Sequence, residues 1–158
     1  MATYSVMTGS GVNAYNADLA GIYSVTATLD FTEINGGSGT AQNDIVTLIQ
    51  VPANTYVLGV FWKVDTTSSN MADLDIGDGD DTDGYVDGAS MATAVDGASF
   101  AGALTVASPS TFPNGTVAFA NGKFYTAADT IDLKQNTAAT VVTGVLKVKA
   151  LMIDCNVY

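Results

Sequence analysis

The sequence predicts an all-β fold: an antiparallel, jelly-roll-like β-sandwich of about eight strands, with long loops and an N-terminal arm. Three observations lead to this prediction. Apolar and polar residues alternate over several stretches, an Asn-Gly pair separates two apolar runs, and no stretch has the periodicity of an amphipathic helix. The chain has 158 residues, of which 47% are hydrophobic, so a single domain with a core is expected.

The clearest predicted strand runs from Tyr23 to Thr32. Its polar residues alternate with apolar ones, which are Tyr23, Val25, Ala27, Leu29 and Phe31. Because successive side chains of a strand point to opposite faces, one face of this strand should meet the core and the other water.

Two more strands follow the glycine-containing loop of residues 33–40. The apolar run from Ile45 to Val51 is typical of a strand covered on both faces, and a turn at residues 52–54 ends it. Alternation resumes from Thr55 to Asp65 and predicts a core face that carries Tyr56, Leu58, Val60, Trp62 and Val64. Phe61 lies on the opposite face, which is half apolar, and there we expect a subunit contact.

The second half of the chain combines long loops with short strands. Leu74 and Ile76 are predicted to face inward from a strand over residues 71–76. Beyond it we expect long loops over residues 78–114 with one short strand near 103–107, a hairpin over 117–126 with Asn121-Gly122 at its turn, and strands at 130–134 and 141–153.

The chain divides into an N-terminal arm, residues 1–20, and one β-sandwich domain, residues 21–158. The arm consists mainly of small and polar residues, with scattered larger side chains at Tyr4, Val6 and Tyr15. We expect these three residues, with Phe61, to contact another subunit; the alternative is a frayed terminus.

The charge balance excludes several classes of function. Five basic residues, all lysine, and no histidine stand against 16 acidic residues, which gives a formal net charge of −11. Such a chain would repel nucleic acid and anionic membranes. Without histidine, neither a Ser-His-Asp nor a Cys-His catalytic group forms, and the usual zinc sites are excluded. The single cysteine, Cys155, precludes an intrachain disulfide.

An enzyme is therefore not expected. Two carboxylates would suffice for glycoside hydrolysis, but nothing in the sequence singles out a pair; two inward-facing aspartates in a cleft would revive this reading. The N-terminus lacks the features of a signal peptide, so we expect synthesis in a cytosol.

One acidic segment is a candidate binding site for a cation, because seven aspartates fall between positions 73 and 87 without a lysine among them. Carboxylates on a glycine-containing loop suit Ca²⁺, which predicts a possible calcium site at Asp78, Asp80, Asp81 and Asp83. The EF-hand pattern fails, since Thr82 and Ala89 stand at ligand positions. The alternative is a solvated acidic loop without metal and without any other cofactor.

Three segments carry a resemblance to a known group of proteins. They are residues 51–60, residues 74–85, and residues 128–133 with 144–148. Their strand spacing and glycine-aspartate turns resemble small virion structural proteins of tailed bacteriophages, particularly head decoration (cement) proteins. The resemblance implies no catalytic residues and matches no motif with a residue-level role.

The resemblance implies a capsid decoration protein that stabilises the shell through subunit contacts. Its expected partners are the major capsid protein and itself, in a homotrimer, on the capsid surface of a virion assembled in the host cytoplasm. The alternative is a carbohydrate- or receptor-binding module of a phage fibre, knob or tail. An exposed aromatic platform at Phe61 or Tyr85 would favour that alternative.

Overall fold

A computed structural model gives the fold and describes residues 3–5, 21–71, 73–92, 96–100 and 122–157. The described chain is almost entirely β-structure, and its two helical segments are short 3-10 turns at Ile34–Gly37 and Cys155–Val157. No helix among these residues is long and apolar enough to cross a bilayer. The strands are β1 Thr3–Ser5, β2 Ile22–Asp30, β3 Ile45–Val51, β4 Thr55–Thr66, β5 Leu74–Gly77, β6 Val86–Ala89, β7 Asp96–Phe100, β8 Lys123–Tyr125, β9 Asp129–Gln135 and β10 Val145–Asp154.

The strands form two sheets. Sheet I has the order β1-β3-β9-β5-β6, and sheet II has the order β2-β10-β4-β7, with β8 also paired to β4. All pairs are antiparallel except β1 with β3, where Thr3 lies opposite Ile45 in parallel register. Without the short strands β1 and β8, each sheet keeps four antiparallel strands, and the chain crosses repeatedly between the sheets. This strand order is that of a jelly roll, which confirms the predicted fold class.

One hydrophobic core lies between the sheets. Buried side chains of both sheets join in a single cluster, whose largest fully buried members include Phe31, Tyr85, Met71 and Met91. Trp62 is 6% exposed and belongs to this core, as the alternation predicted. The predicted inward residues of β2, and Phe31 just after it, are confirmed, with Leu29 and Phe31 fully buried and Tyr23 and Val25 partly so.

A β-bulge in β4 reverses the alternation within that strand. Opposite β10, Gly59 pairs with Leu151 and Val57 pairs with Met152, which leaves Leu58 as the extra residue. Val57 is therefore buried, whereas Leu58 is only half-buried on the outer face. The prediction that Tyr56 and Leu58 face the core is wrong, because the bulge shifts the N-terminal half of β4 by one residue.

A similar irregularity explains the apolar run in β3. The register with β9 shifts between Thr47 and Ile49, so Leu48 and Ile49 are both buried although they are neighbours in sequence.

The region expected to be mainly loop contains two strands, β6 and β7, which the sequence did not predict. The short strand expected near residues 103–107 and the first half of the predicted hairpin lie outside the described residues. The second half of the predicted hairpin corresponds to β8, which pairs with the start of β4. Within the predicted arm, only β1 is described, so the division at residue 20 stays a prediction.

Candidate interaction surface and acidic corner

The outer face of sheet II carries a continuous row of large apolar side chains at one end. Ile153 of β10 lies opposite both Ile22 of β2 and Tyr56 of β4, and Tyr56 lies opposite Phe124 of β8. Directly opposed residues share a face, so these four side chains form one line across four strands, here called the apolar row. Ile22 is 47% exposed and Phe124 is 46% exposed. A solvated sheet face is normally polar, so this row is a candidate contact surface.

The other end of the same face carries three of the five lysines of the chain. Lys147 lies opposite Lys63, and Lys149 lies opposite Phe61. We call Lys63, Lys147 and Lys149 the lysine end. Phe61 lines a shallow groove that these lysines border, together with Thr26, Trp62 and Val148.

The carboxylate of Asp65 forms ion pairs with both opposed lysines, Lys63 and Lys147. Its Oδ1 lies 3.1 Å from the Nζ of Lys63, and its Oδ2 binds the Nζ of Lys147. Like charges directly opposite one another destabilise a sheet, and a bridging carboxylate offsets this repulsion. The hydrogen bonds from Lys147 and Lys63 lower the pKa of Asp65. Among the described residues, Lys149 forms no ion pair.

A cluster of aspartates lies where β5, β8 and β9 meet, next to Phe124. This acidic corner consists of Asp78, Asp80, Asp81, Asp83 and Asp129. Close backbone approach shapes its loop, because a Cβ on Gly77 would lie 2.0 Å from the carbonyl oxygen of Asp81. Only glycine fits there, and the chain folds back so that the Asp78 amide donates to Asp81 at 2.9 Å.

The buried carboxylate of Asp78 is the centre of this corner. Its Oδ1 accepts hydrogen bonds from the amides of Asp80 at 3.0 Å and Asp81 at 3.1 Å. Its Oδ2 accepts from the hydroxyl of Tyr125 at 2.6 Å and the Nζ of Lys123 at 2.5 Å. Both oxygens therefore use their full accepting capacity.

The largely buried ammonium group of Lys123 offsets part of the negative charge of the acidic corner. Its Nζ also lies 2.9 Å from Asp80 Oδ2 and 4.8 Å from the centre of the Tyr125 ring. Burial disfavours both charges, but the hydrogen bonds outweigh it, so the pKa of Asp78 is lowered and that of Lys123 is raised. Behind them, burial raises the pKa values of Tyr125 and Tyr85, whose hydroxyls are 3.0 Å apart.

The structure groups a different set of carboxylates from the four predicted to hold calcium. Oxygens of Asp78, Asp80 and Asp129 lie within 4.8 Å of one another. Asp81 and Asp83 are not in that group; they bond to each other, which raises the pKa of Asp81. A cation bound at Asp78 would have to compete with the Lys123 ammonium, so calcium binding remains a prediction that a titration must test.

The residues expected to contact another subunit are only partly described. Tyr4 lies in β1, opposite Val46 of β3, whereas Val6 and Tyr15 lie outside the described residues. Phe61 is half-buried on the outer face of sheet II, as the alternation predicted. Tyr85 is 1% exposed, so it offers no aromatic platform for a sugar.

Sequence reasoning missed the apolar row and the role of Lys123. The row joins residues 22, 56, 124 and 153, which only the cross-strand register brings together. The one local signal was the half-apolar outer face of β4. Lys123 stands 43 and 45 residues from its two partners, and nothing in the sequence links them.

The fold defines a class, the eight-stranded jelly-roll sandwich, here with short strands added at β3 and β4. Chains of known structure share it. A chain of the cyanophage Pam1 capsid asymmetric unit matches with a TM-score of 0.56 and 19% identity, over 93% of this chain and 97% of that chain. A chain of the capsid of Ralstonia phage GP4 matches with a TM-score of 0.56 and 13% identity, over 97% of this chain and 98% of that chain.

At these identities the likeness shows the fold. No protein-family model matches the sequence, and no curated protein matches it.

Proposed function

We propose that this chain is a non-enzymatic structural protein of a tailed-phage virion, which decorates and stabilises the capsid through subunit contacts. One observation carries the proposal: the fold extends over almost the whole of two chains from phage capsids, with 97% and 98% of those chains covered. A fold shared over this length supports a structural role in such a shell.

The surface of sheet II supports a role in contacts. Its outer face exposes the apolar row at one end and the lysine end at the other, and exposed apolar patches of this kind are typical of interaction sites. The buried carboxylate of Asp78, in contrast, is covered and held ionised, so it is unsuited to proton transfer.

The proposed partners are the major capsid protein and further copies of this chain, in a homotrimer. The proposed location is the outer capsid surface, and synthesis takes place in the host cytoplasm. A net charge of −11 would disfavour binding to packaged genome. Each contact made only in the assembled shell stabilises that state by mass action.

Co-sedimentation with empty capsids that lack this protein tests the proposal. The wild-type chain should pellet with the capsids, and Ile22→Ser combined with Phe124→Ser should weaken this binding. Val142→Ser is the matched control, since Val142 is 39% exposed but lies away from the apolar row. A wild-type chain that stays in the supernatant would overturn the proposal.

The alternative function is carbohydrate or receptor binding by a fibre, knob or tail component. The observation in its favour is the groove beside Phe61, where an aromatic ring lies among lysine and threonine side chains. A glycan-array signal that Phe61→Ala abolishes would support this alternative.

A further inference from the structure

Strand β1 is joined to sheet I by one short contact at the edge of the sheet. Its residues, Thr3–Ser5, pair with residues 45–47 of β3. This is the only parallel pair among the described strands, and β3 is the only described strand that β1 contacts in the sheet. A parallel pair cannot be joined by a tight hairpin, so β3 alone holds β1 in place among the described strands.

The edge of β3 is one that a covering strand must protect. Strand β3 is the mostly apolar run Ile45–Val51, which contains no proline, glycine or charged residue. Natural edge strands usually carry such residues, because an open edge presents unpaired backbone N–H and C=O groups to other chains. The other side of β3 pairs with β9, so among the described strands β1 covers this edge. A β1 strand from another copy would cover it equally well.

The connection from β1 to β2 is longer than a single copy requires. Because β1 runs parallel to β3, it points towards the C-terminal end of β3, where β4 begins after a short turn. There Thr55 lies opposite Asp154, whose amide donates to the carbonyl oxygen of Gly21 at 2.8 Å. The end of β1 and the start of β2 therefore lie at the same end of the sandwich.

The distances show how much of this connection is spare. Within one copy, the path from Ser5 to Gly21 is about 25 Å, which is four strand residues along β3 and one spacing between the sheets. Residues 6–20, at about 3.3–3.6 Å per residue, can span about 50 Å. The connection is thus long enough for β1 to reach an adjacent copy.

Exchange of β1 would join copies without any new surface. The backbone contacts of β1 with β3 are the same whether the two strands belong to one copy or to two, so exchange converts an internal contact into a subunit contact. Two copies with a net charge of −11 repel each other at long range. Backbone hydrogen bonds between strands do not depend on that charge, which makes them a suitable contact between such copies.

We propose that β1 is exchanged between copies of this chain, so that β1 of one copy pairs with β3 of the next. This inference rests on the proposed function, which places copies side by side in a homotrimer, and it specifies the contact between them. Around a threefold axis each copy gives its β1 to one neighbour and accepts β1 from the other, so the ring closes. Tyr4, for which the sequence predicts a subunit contact, then lies opposite Val46 of the next copy.

A disulfide between the paired strands reports which copy supplies β1. Thr3→Cys and Ile45→Cys are combined in a Cys155→Ser background, which removes the native thiol. Thr3 and Ile45 are paired in register, and neighbouring strands lie about 4.8 Å apart, within the reach of a disulfide. An exchanged β1 links each copy to the next, so the oxidised full chain should run at three times the chain mass on a non-reducing gel. The oxidation is carried out with and without empty capsids.

Two further measurements control this result. Thr26 and Lys149 are directly paired within sheet II, so Thr26→Cys with Lys149→Cys in the same background should give a disulfide at monomer mass. In the second measurement, two differently tagged chains are expressed together, one with Thr3→Cys and the other with Ile45→Cys. Neither chain can form the disulfide within itself, so a covalent dimer that contains both tags requires exchange.

Two results would overturn the inference. One is a disulfide between positions 3 and 45 at monomer mass, both free and on capsids. The other is no disulfide at this pair while the control pair oxidises. Linked copies, whatever their number, support exchange.

Capsid co-sedimentation separates this failure from failure of the proposed function. If wild type pellets with capsids but the disulfide stays within one copy, only exchange fails. If the disulfide links copies but wild type stays in the supernatant, only decoration fails. If the disulfide stays within one copy and wild type does not pellet, both fail.

Discussion

Asp78 shows how one buried charge organises a loop. Its side chain is fully buried, and it accepts four hydrogen bonds: two from amides of its own loop after β5 and two from Lys123 and Tyr125 of β8. These bonds connect sheet I to sheet II at the edge of the sandwich. A buried carboxylate is tolerated only when all of its accepting positions are used, as they are here.

Replacing Asp78 by Asn should therefore destabilise the fold by about 2–4 kcal/mol, because the Lys123 ammonium loses its buried partner. Urea denaturation measures this free energy of unfolding. Asp30→Asn is the control, since the Asp30 carboxylate accepts hydrogen bonds from neighbouring Thr32 at the surface, and the variant should cost well under half as much. Equal losses in the two variants would contradict the role of Asp78.

The same carboxylate should contribute to acid unfolding. Because the folded pKa of Asp78 is lowered, its stabilisation is present above the ordinary value of about 3.9 and is lost as the pH falls through the folded value. Burial raises the pKa of Asp132, whose contribution has the opposite sign. In Asp78→Asn the loss of stability below about pH 4 should be smaller than in wild type. Urea midpoints measured against pH would show it, and an unchanged acid limb would contradict the prediction.

The predicted calcium binding at the acidic corner should be opposed by Lys123. If Ca²⁺ competes with this ammonium, calcium should raise the melting temperature more in Lys123→Ala than in wild type, with a chelator as control. Lys134→Ala is the matched variant, because it removes a lysine outside the corner. Melting temperatures that calcium leaves unchanged in all three proteins would remove the calcium site.

At the scale of elements, the bulge in β4 decides which side chains the core receives. Val57→Ala should destabilise the protein by about 2 kcal/mol, whereas Leu58→Ala should cost about 1 kcal/mol or less, although leucine is larger. The reason is that Val57 is 0% exposed, while Leu58 lies on the outer face. Chemical denaturation measures both, and the reverse ranking would mean that β4 is regular.

Most long strands could be predicted because alternation and β-branched content are local. The strands β2, β3, β4, β9 and β10 match predicted segments within a few residues. The bulges at Leu48 and Leu58 could not be predicted, since an extra residue in one strand is defined only by its partner. Strands β6 and β7 are short and rich in small or acidic residues, and tertiary pairing outweighs their weak propensity.

The candidate surface was predictable only in part. Phe61 could be placed on the outer face from its position in β4, on the side of the bulge where the alternation holds. The apolar row and the lysine end required the register between β2, β10, β4 and β8, which no local pattern gives. The acidic segment was evident in the sequence, but its pairing with Lys123 was not.

At the scale of the whole molecule, the charges are segregated rather than mixed. The lysine end lies on the outer face of sheet II, whereas the acidic corner lies on the inner side of β8, where Lys123 and Tyr125 bind Asp78. A protein that acts alone gains solubility from interspersed charges. Segregated charges instead orient two molecules as they approach each other.

Strands β7 and β8 occupy successive positions on a single edge of β4. Phe100 lies opposite Gly59 and Lys123 lies opposite Val57, so the chain leaves this edge and returns to it about 7 Å away, the span of two strand residues. The strand ends that flank residues 101–121 therefore lie close together. A connection of almost any length between them meets the same end-to-end requirement, so the pairing of β7 and β8 with β4 places little constraint on the length of chain that joins them.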